Sequence, residues 1–324
     1  MKKNVVLVTG GTGLVGKALQ DIIRHTALET KFDWIFVGSF LDLSGDYMFV
    51  RNFFELYHPM FVIHLAAKVG GVYHNESNNL KMFQENIKIN ENIIRACDEF
   101  HVEKAVLCLS TCIYPDKVSS YPIHEEMLHD GRPHSSNEGY SYAKRMLEIQ
   151  ARLYNTTPGH KTEFLCVIPT NIYGPHDNFN LETGHVIPSL IHKCYLAKKN
   201  GTPFTIRGSG GALRQFIYSQ DVAEYIIHVL FTLSPQQIPH GILLVPPEHD
   251  EKPIRHIVHE IANAFELPHD KVVFDTNYTD GQYRKTASNH LIQQFFPNIK
   301  QVSLELGIKR SVQWFIEHYD EARL

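Results

Sequence analysis

The sequence predicts a doubly wound α/β fold, a parallel sheet with helices on both faces, and a smaller α/β lobe toward the C-terminus. Three observations predict it. Short apolar runs that do not alternate, such as 5–8 and 105–109, read as strands buried on both faces. Helical stretches separate these runs, which is the pattern of βαβ units. A glycine-rich turn follows the first run directly and opens a helix.

The elements follow in order. Residues 5–8 form strand one, and helix one covers 13–24. Strand two is 34–37. Strand three, 61–65, begins after Pro59. A long mixed stretch, 78–100, reads as a helix. Strand four is 105–109, the helix containing Tyr140 runs to about 155, and strand five is 164–168. After Gly174 the pattern loosens. A polar loop, 175–184, leads to a helix over 185–199 and short strands near 204–207 and 215–218. A helix starts at Asp221, and 241–245 reads as another strand of the main sheet. A helix over 253–266, a strand over 272–274 and a C-terminal helix ending within 317–323 complete the chain. The division is residues 1–174 for a dinucleotide-binding domain, with segments near 214–245 returning to it. Residues 175–324 form mainly a substrate lobe, and the cleft between is the natural ligand site.

At 324 residues, 43% hydrophobic and 20% charged, the chain has the composition of a soluble globular protein. A formal net charge of −4 gives no basic surface for nucleic acid. No apolar run is long enough to span a membrane. The basic start and short apolar run at the N-terminus lead into the glycine turn, so they read as strand one and not as a signal peptide. Five cysteines without a Cys-x-x-Cys pair suit a reduced, cytoplasmic protein. Twenty histidines show no metal-ligand spacing, so no metal is expected.

The turn reads Thr9-Gly10-Gly11-Thr12-Gly13-Leu14-Val15-Gly16. Its glycines allow a tight bend, close approach of a pyrophosphate, and close helix–sheet contact, with the helix N-terminus facing the phosphates. This predicts a Rossmann dinucleotide site. An acidic residue at the end of strand two would bind a ribose 2′-hydroxyl and repel a 2′-phosphate. The chain has Gly38-Ser39-Phe40 there and no carboxylate until Asp42, which favours NADP(H) and leaves Asp42 to lie against the adenine.

Tyr140 and Lys144 stand four apart, on one face of a helix. An ammonium near a phenol lowers its pKa, so Tyr140 is expected to exchange protons near neutral pH, with Ser110 at the end of strand four holding the substrate oxygen. Tyr195 and Lys199 repeat the spacing without the strand-end serine, and read as a solvated helix end. Cys112, two residues past Ser110, extends toward the same place. Cys108 and Cys166 lie inside strands and read as buried small hydrophobes.

The glycine loop, His64-Leu-Ala-Ala67, Ser110, Tyr140-Ser-Tyr-Ala-Lys144 and Pro169-Thr-Asn-Ile-Tyr-Gly174 together resemble the extended short-chain dehydrogenase/reductases, which act on nucleotide sugars. Narrower motifs resemble the GDP-L-fucose synthase branch: Leu109-Ser-Thr-Cys-Ile-Tyr-Pro115, Pro175-His-Asp-Asn178 and His185-Val-Ile-Pro188. The resemblance implies a substrate, GDP-4-keto-6-deoxy-D-mannose, and NADPH. It implies Cys112 as base and His185 as acid for epimerising C3 and C5, and Tyr140 as proton donor to O4. It implies cofactor contacts from Ala66, Lys144, Pro169, Asn171 and His185 beside the glycine loop. It places Lys193, Arg207, Arg214 and Asp280 around the GDP-sugar, with Arg207 standing where the family usually has tryptophan. Asn171 could instead cap a turn, and Asn86 and Asn90 could be structural. The superfamily's homodimers use the tyrosine helix, where Met146, Leu147 and Leu153 supply apolar surface or pack inward.

Overall fold

The computed structural model describes residues 3–39, 41–71, 77–278 and 282–324. Its first strands are β1 (Asn4–Thr9), β2 (Phe32–Val37), β3 (Phe61–His64), β4 (Lys104–Cys108) and β5 (Glu163–Pro169). Short strands follow: β6 (Asn171–Tyr173), β7 (Phe204–Arg207), β8 (Leu213–Arg214), β9 (Phe216–Tyr218), β10 (Ile242–Leu244), β11 (Lys252–Pro253) and β12 (Val272–Asp275). One six-stranded sheet runs β10-β5-β4-β3-β1-β2, and every pairing in it is parallel. The chain goes from β1 to β2 on one side and then to β3 on the other. The crevice at the ends of β1 and β3 is therefore the topological switch point, where such sheets bind ligands.

The helices are α1 (Leu14–Arg24), α2 (Leu28–Lys31), α3 (Tyr47–Tyr57), α4 (Asn79–Glu99), α5 (Glu138–Thr156), α6 (Val186–Asn200), α7 (Ser219–Thr232), α8 (Ile254–Ala264), α9 (His290–Phe295) and α10 (Leu304–Glu317). In α1 the buried Val15, Ala18, Leu19 and Ile23 form one stripe at helical spacing and face the sheet. α1 and α7 pack together over one face of the sheet, and α4 and α5 pack side by side over the other. Ala105, Val106 and Leu107 of β4 are fully buried between these layers, which is why that stretch is apolar without alternation. A third core, around Phe179, Phe204 and Phe315, joins α6, α8 and α10. The late strand β10 and helix α7 both return to the main sheet's layers. α3 was not anticipated. Asp46 starts it by accepting a hydrogen bond from the Met48 N–H at 2.9 Å, and its crowd of aromatic residues hides any clear period.

β10 reaches only Val167–Pro169. Lower on the same edge of β5, the Asn155 side chain donates to the Phe164 carbonyl at 2.7 Å and accepts from its N–H at 2.9 Å, replacing the missing strand. On α5, Leu147 is fully buried in this chain's own core, so it does not supply outward surface, whereas Leu153 is 51% exposed.

Candidate active site

The turn after β1 is shaped for a group that approaches its backbone. Gly10 has φ +70°, and a Cβ there would meet Ala66 N at 2.8 Å. A Cβ on Gly16 would lie 2.5 Å from the Gly11 carbonyl. Larger residues would push the loop off β3 and α1. Gly13 starts α1 with no side-chain cap and no acid in the first turn, so the helix N-terminus keeps its positive end for phosphates. These features fit a dinucleotide. Beneath them lies a buried polar relay. The Thr9 hydroxyl accepts from the Ala66 N–H at 3.3 Å and bonds His64 Nδ1 at 2.7 Å, while His64 Nε2 meets Asn90 Oδ1 at 3.2 Å. Burial, with the Lys144 cation nearby, holds the His64 imidazole down to about 3, so it is neutral. Asn86 bonds both backbone groups of Lys68. Asn86 and Asn90 of α4 are thus structural.

Four residues converge at the end of β4. Ser110 accepts the Cys112 N–H at 3.3 Å, capping the one-turn helix Thr111–Ile113 that carries Cys112. Cys112 is only 9% exposed. Lys144, 1% exposed, donates to the Cys108 carbonyl at 2.7 Å and lies 5.9 Å from the centre of the Tyr140 ring. Burial lowers the Lys144 ammonium from its ordinary value. The Tyr140 phenol is the correction to the expected proton balance. Burial pushes it well up, with the Cys112 and Cys108 thiols adding to the rise. Tyr140 therefore holds its proton at neutral pH and is set up to donate it.

Several other expected residues have local employment. Asp42 accepts from the Ser44 N–H and hydroxyl at 3.0 and 2.8 Å, closing its own turn. Asn171 gives its amide to the Gln215 carbonyl at 2.9 Å. Pro169 ends β5 opposite Leu244 of β10. His185 sits just before α6, and burial lowers its imidazole below the ordinary value. Lys193 and Arg207 share a cavity of about 340 Å³ between α6 and the β7–β12 pair. Arg207 stacks 4.9 Å from the Tyr278 ring, which supplies the aromatic surface at this position. Arg214 does not line that cavity and donates to the Leu213 and Gln282 carbonyls at 2.7 and 2.6 Å. Asp280 lies outside the described residues.

Lys285 escaped the sequence reading. The segment around it zips onto the stretch following Cys112. The Ile123 N–H donates to the Thr286 carbonyl at 2.8 Å, and Gln282 donates to the Asp116 carbonyl at 2.8 Å. This brings the Lys285 ammonium into electrostatic reach of Cys112 and Arg214. It stands in a short polar stretch without periodicity, so only the fold reveals it. Among the described residues no cluster of metal-binding side chains occurs, and no helix is long and apolar enough to cross a membrane.

Fold and site together define a dinucleotide-linked enzyme that works at a carbon–oxygen bond. The model of the NAD dependent epimerase/dehydratase family matches residues 6–241. GDP-L-fucose synthase of Dictyostelium discoideum is 48% identical over 322 residues, 99% of this chain and 98% of the relative. The probable GDP-L-fucose synthase of Drosophila melanogaster is 45% identical over the whole of both chains. The crystal structure of a GDP-L-fucose synthetase from Naegleria fowleri bound to NADP superposes with a TM-score of 0.91 at 43% identity, covering 100% of this chain and 97% of that one. The chain belongs to the NAD dependent epimerase/dehydratase family and, within it, to the family of the GDP-L-fucose synthases.

Proposed function

We propose that this protein converts GDP-4-keto-6-deoxy-D-mannose to GDP-L-fucose by epimerising C3 and C5 and then reducing C4 with NADPH. The observation that carries it is the convergence of Ser110, Cys112, Tyr140 and Lys144 at one strand end. A plain reductase needs no thiol there, and a 4,6-dehydratase would need carboxylates where this chain has Cys112-Ile113.

A bound NADPH supplies hydride to C4. The chain's residues do the rest. Gly10–Gly16 and the N-terminus of α1 hold the pyrophosphate. The C4 ketone acidifies the C3 and C5 protons. Cys112 removes them as base, and His185 returns protons from the other face. Ser110 keeps its hydroxyl proton for O4, because its oxygen, not its proton, is used by the Cys112 N–H. Tyr140, kept protonated by burial, protonates O4 as C4 is reduced. Lys144, fixed on the Cys108 carbonyl, holds positive charge beside the phenolate that forms. Lys193, Arg207 and Arg214 hold the GDP half.

A homodimer in the cytoplasm completes the reading. α4 and α5 lie side by side and leave Leu80, Phe83 and Leu153 exposed, apolar surface suited to a second copy.

NADPH absorbance tests the function. The protein is expected to oxidise NADPH when given GDP-4-keto-6-deoxymannose; turnover of a UDP-sugar with none of this substrate sinks the assignment. Cys112→Ser should bind NADPH normally and lose solvent deuterium incorporation at C3 and C5. Incorporation at the native rate would remove Cys112 as base.

A further inference from the structure

The proposed substrate carries a guanine, and one carboxylate in the structure stands where it can read that base; the inference rests on that reading of the substrate. The cavity between α6 and the β7–β12 pair combines cations from Lys193 and Arg207 with the apolar Leu196 and Pro203 and the Tyr278 ring. Cations suit a diphosphate, and a flat apolar wall suits a base. Asp275 lines the same cavity and suits neither. A carboxylate facing a diphosphate would be repelled, so its partner must be a donor.

Its position is fixed by backbone. Asp275 ends β12 directly opposite Arg207 of β7, and its carbonyl accepts the Gly208 N–H at 2.9 Å. Oδ1 accepts from the Asn277 N–H at 3.1 Å and side-chain amide at 2.8 Å. Among the described residues no ion pair within 4.0 Å ties Asp275 to Lys193 or Arg207, and Oδ2 accepts no hydrogen bond. Among the described residues the carboxylate is thus oriented by one oxygen and unpaired at the other. On their pairing edges adenine, cytosine and uracil present no two adjacent donors. Guanine offers two adjacent donors, N1–H and the N2 amine, which a carboxylate can accept together. We propose that Asp275 is the specificity-determining residue for the base, accepting the N1–H and N2 amine of guanine. A site built to hydrogen-bond a substrate group rejects analogues that lack it.

Titration calorimetry with the NADP-loaded protein tests this, using GDP, IDP and XDP. IDP lacks the N2 amine, and XDP replaces it with an acceptor. Wild type should bind GDP roughly 10- to 100-fold more tightly than IDP, the loss of a charged hydrogen bond, and XDP more weakly still. Asp275→Asn should weaken GDP by a similar factor and bind XDP better than wild type does. Equal affinity of wild type for GDP and IDP overturns the inference. So does an Asp275→Asn variant that loses all three nucleotides equally, the result expected if the carboxylate holds the ribose diol that they share. The wild-type comparison stands even where the variant does not fold. Wild type that fails to bind GDP sinks the substrate reading as well, whereas GDP binding without base discrimination sinks this inference alone.

Discussion

Two Tyr-x-x-x-Lys pairs occur in this chain, and their geometry is nearly the same. Lys144 lies 5.9 Å from the Tyr140 ring centre, and Lys199 lies 5.8 Å from that of Tyr195. Their settings differ. Lys144 is buried and held by the Cys108 carbonyl at the end of a central strand. Lys199 is exposed near the end of α6 and shares itself between Tyr195 and Tyr319. Helical spacing produces the contact in both cases. Burial beside a strand end makes one pair a site for chemistry, because charge is perturbed there and screened at the other.

The comparison can be broken most forcefully at the tyrosines. Tyr140→Phe should slow NADPH oxidation by roughly 10²- to 10⁴-fold, the worth of a positioned acid, while Tyr195→Phe leaves it unchanged. Equal effects in the absorbance assay would mean that setting does not distinguish the pairs. A smaller effect is expected on stability. Lys144→Met leaves the Cys108 carbonyl without its donor and should cost about 1–3 kcal/mol in denaturant unfolding. Lys199→Met, at an exposed position, should shift nothing measurable. A loss in the second matching the first would refute the burial argument.

The smallest effect carries the burial rule away from the site. Asp177 is 4% exposed, its Oδ2 has no hydrogen-bond partner among the described residues, and burial raises its carboxyl to about 7. Between the ordinary carboxylate value and 7 the native state keeps a proton that the unfolded chain releases. Stability from this group therefore falls as pH rises through that window and stays reduced above it. Asp177→Asn, read against wild type by thermal unfolding, should gain more above pH 7 than near pH 4. The same difference at both pH values would show that Asp177 is not the buried acid described.

Much of this was legible in the sequence because period and order carry it. β1 to β5 and the helices α1, α4 and α5 follow from apolar runs and helical spacing, and the glycine turn follows from its place between strand and helix. The pairing of β6 with β9 and of β7 with β12 was not legible, since strands of three or four residues acquire partners only from distant chain. The direction of the Tyr140 shift was misread because spacing places Lys144 near the ring but says nothing of the surrounding protein that raises the phenol. Leu147 and Leu153 looked alike as apolar residues of one helix, and only packing separates the inward one from the outward one. Lys285 reaches Cys112 through a zipper between segments more than 150 residues apart, a separation that no local pattern encodes.

The side chain of Asn155 has a consequence for the chain as it is made. β5 leaves the ribosome well before β10, so for that interval the growing sheet ends on an unpaired strand, a template for a neighbouring nascent chain. Asn155 precedes β5 in sequence and is already available to occupy the Phe164 backbone. It acts as an internal chaperone for one strand edge, and β10 later pairs only the part that Asn155 leaves open.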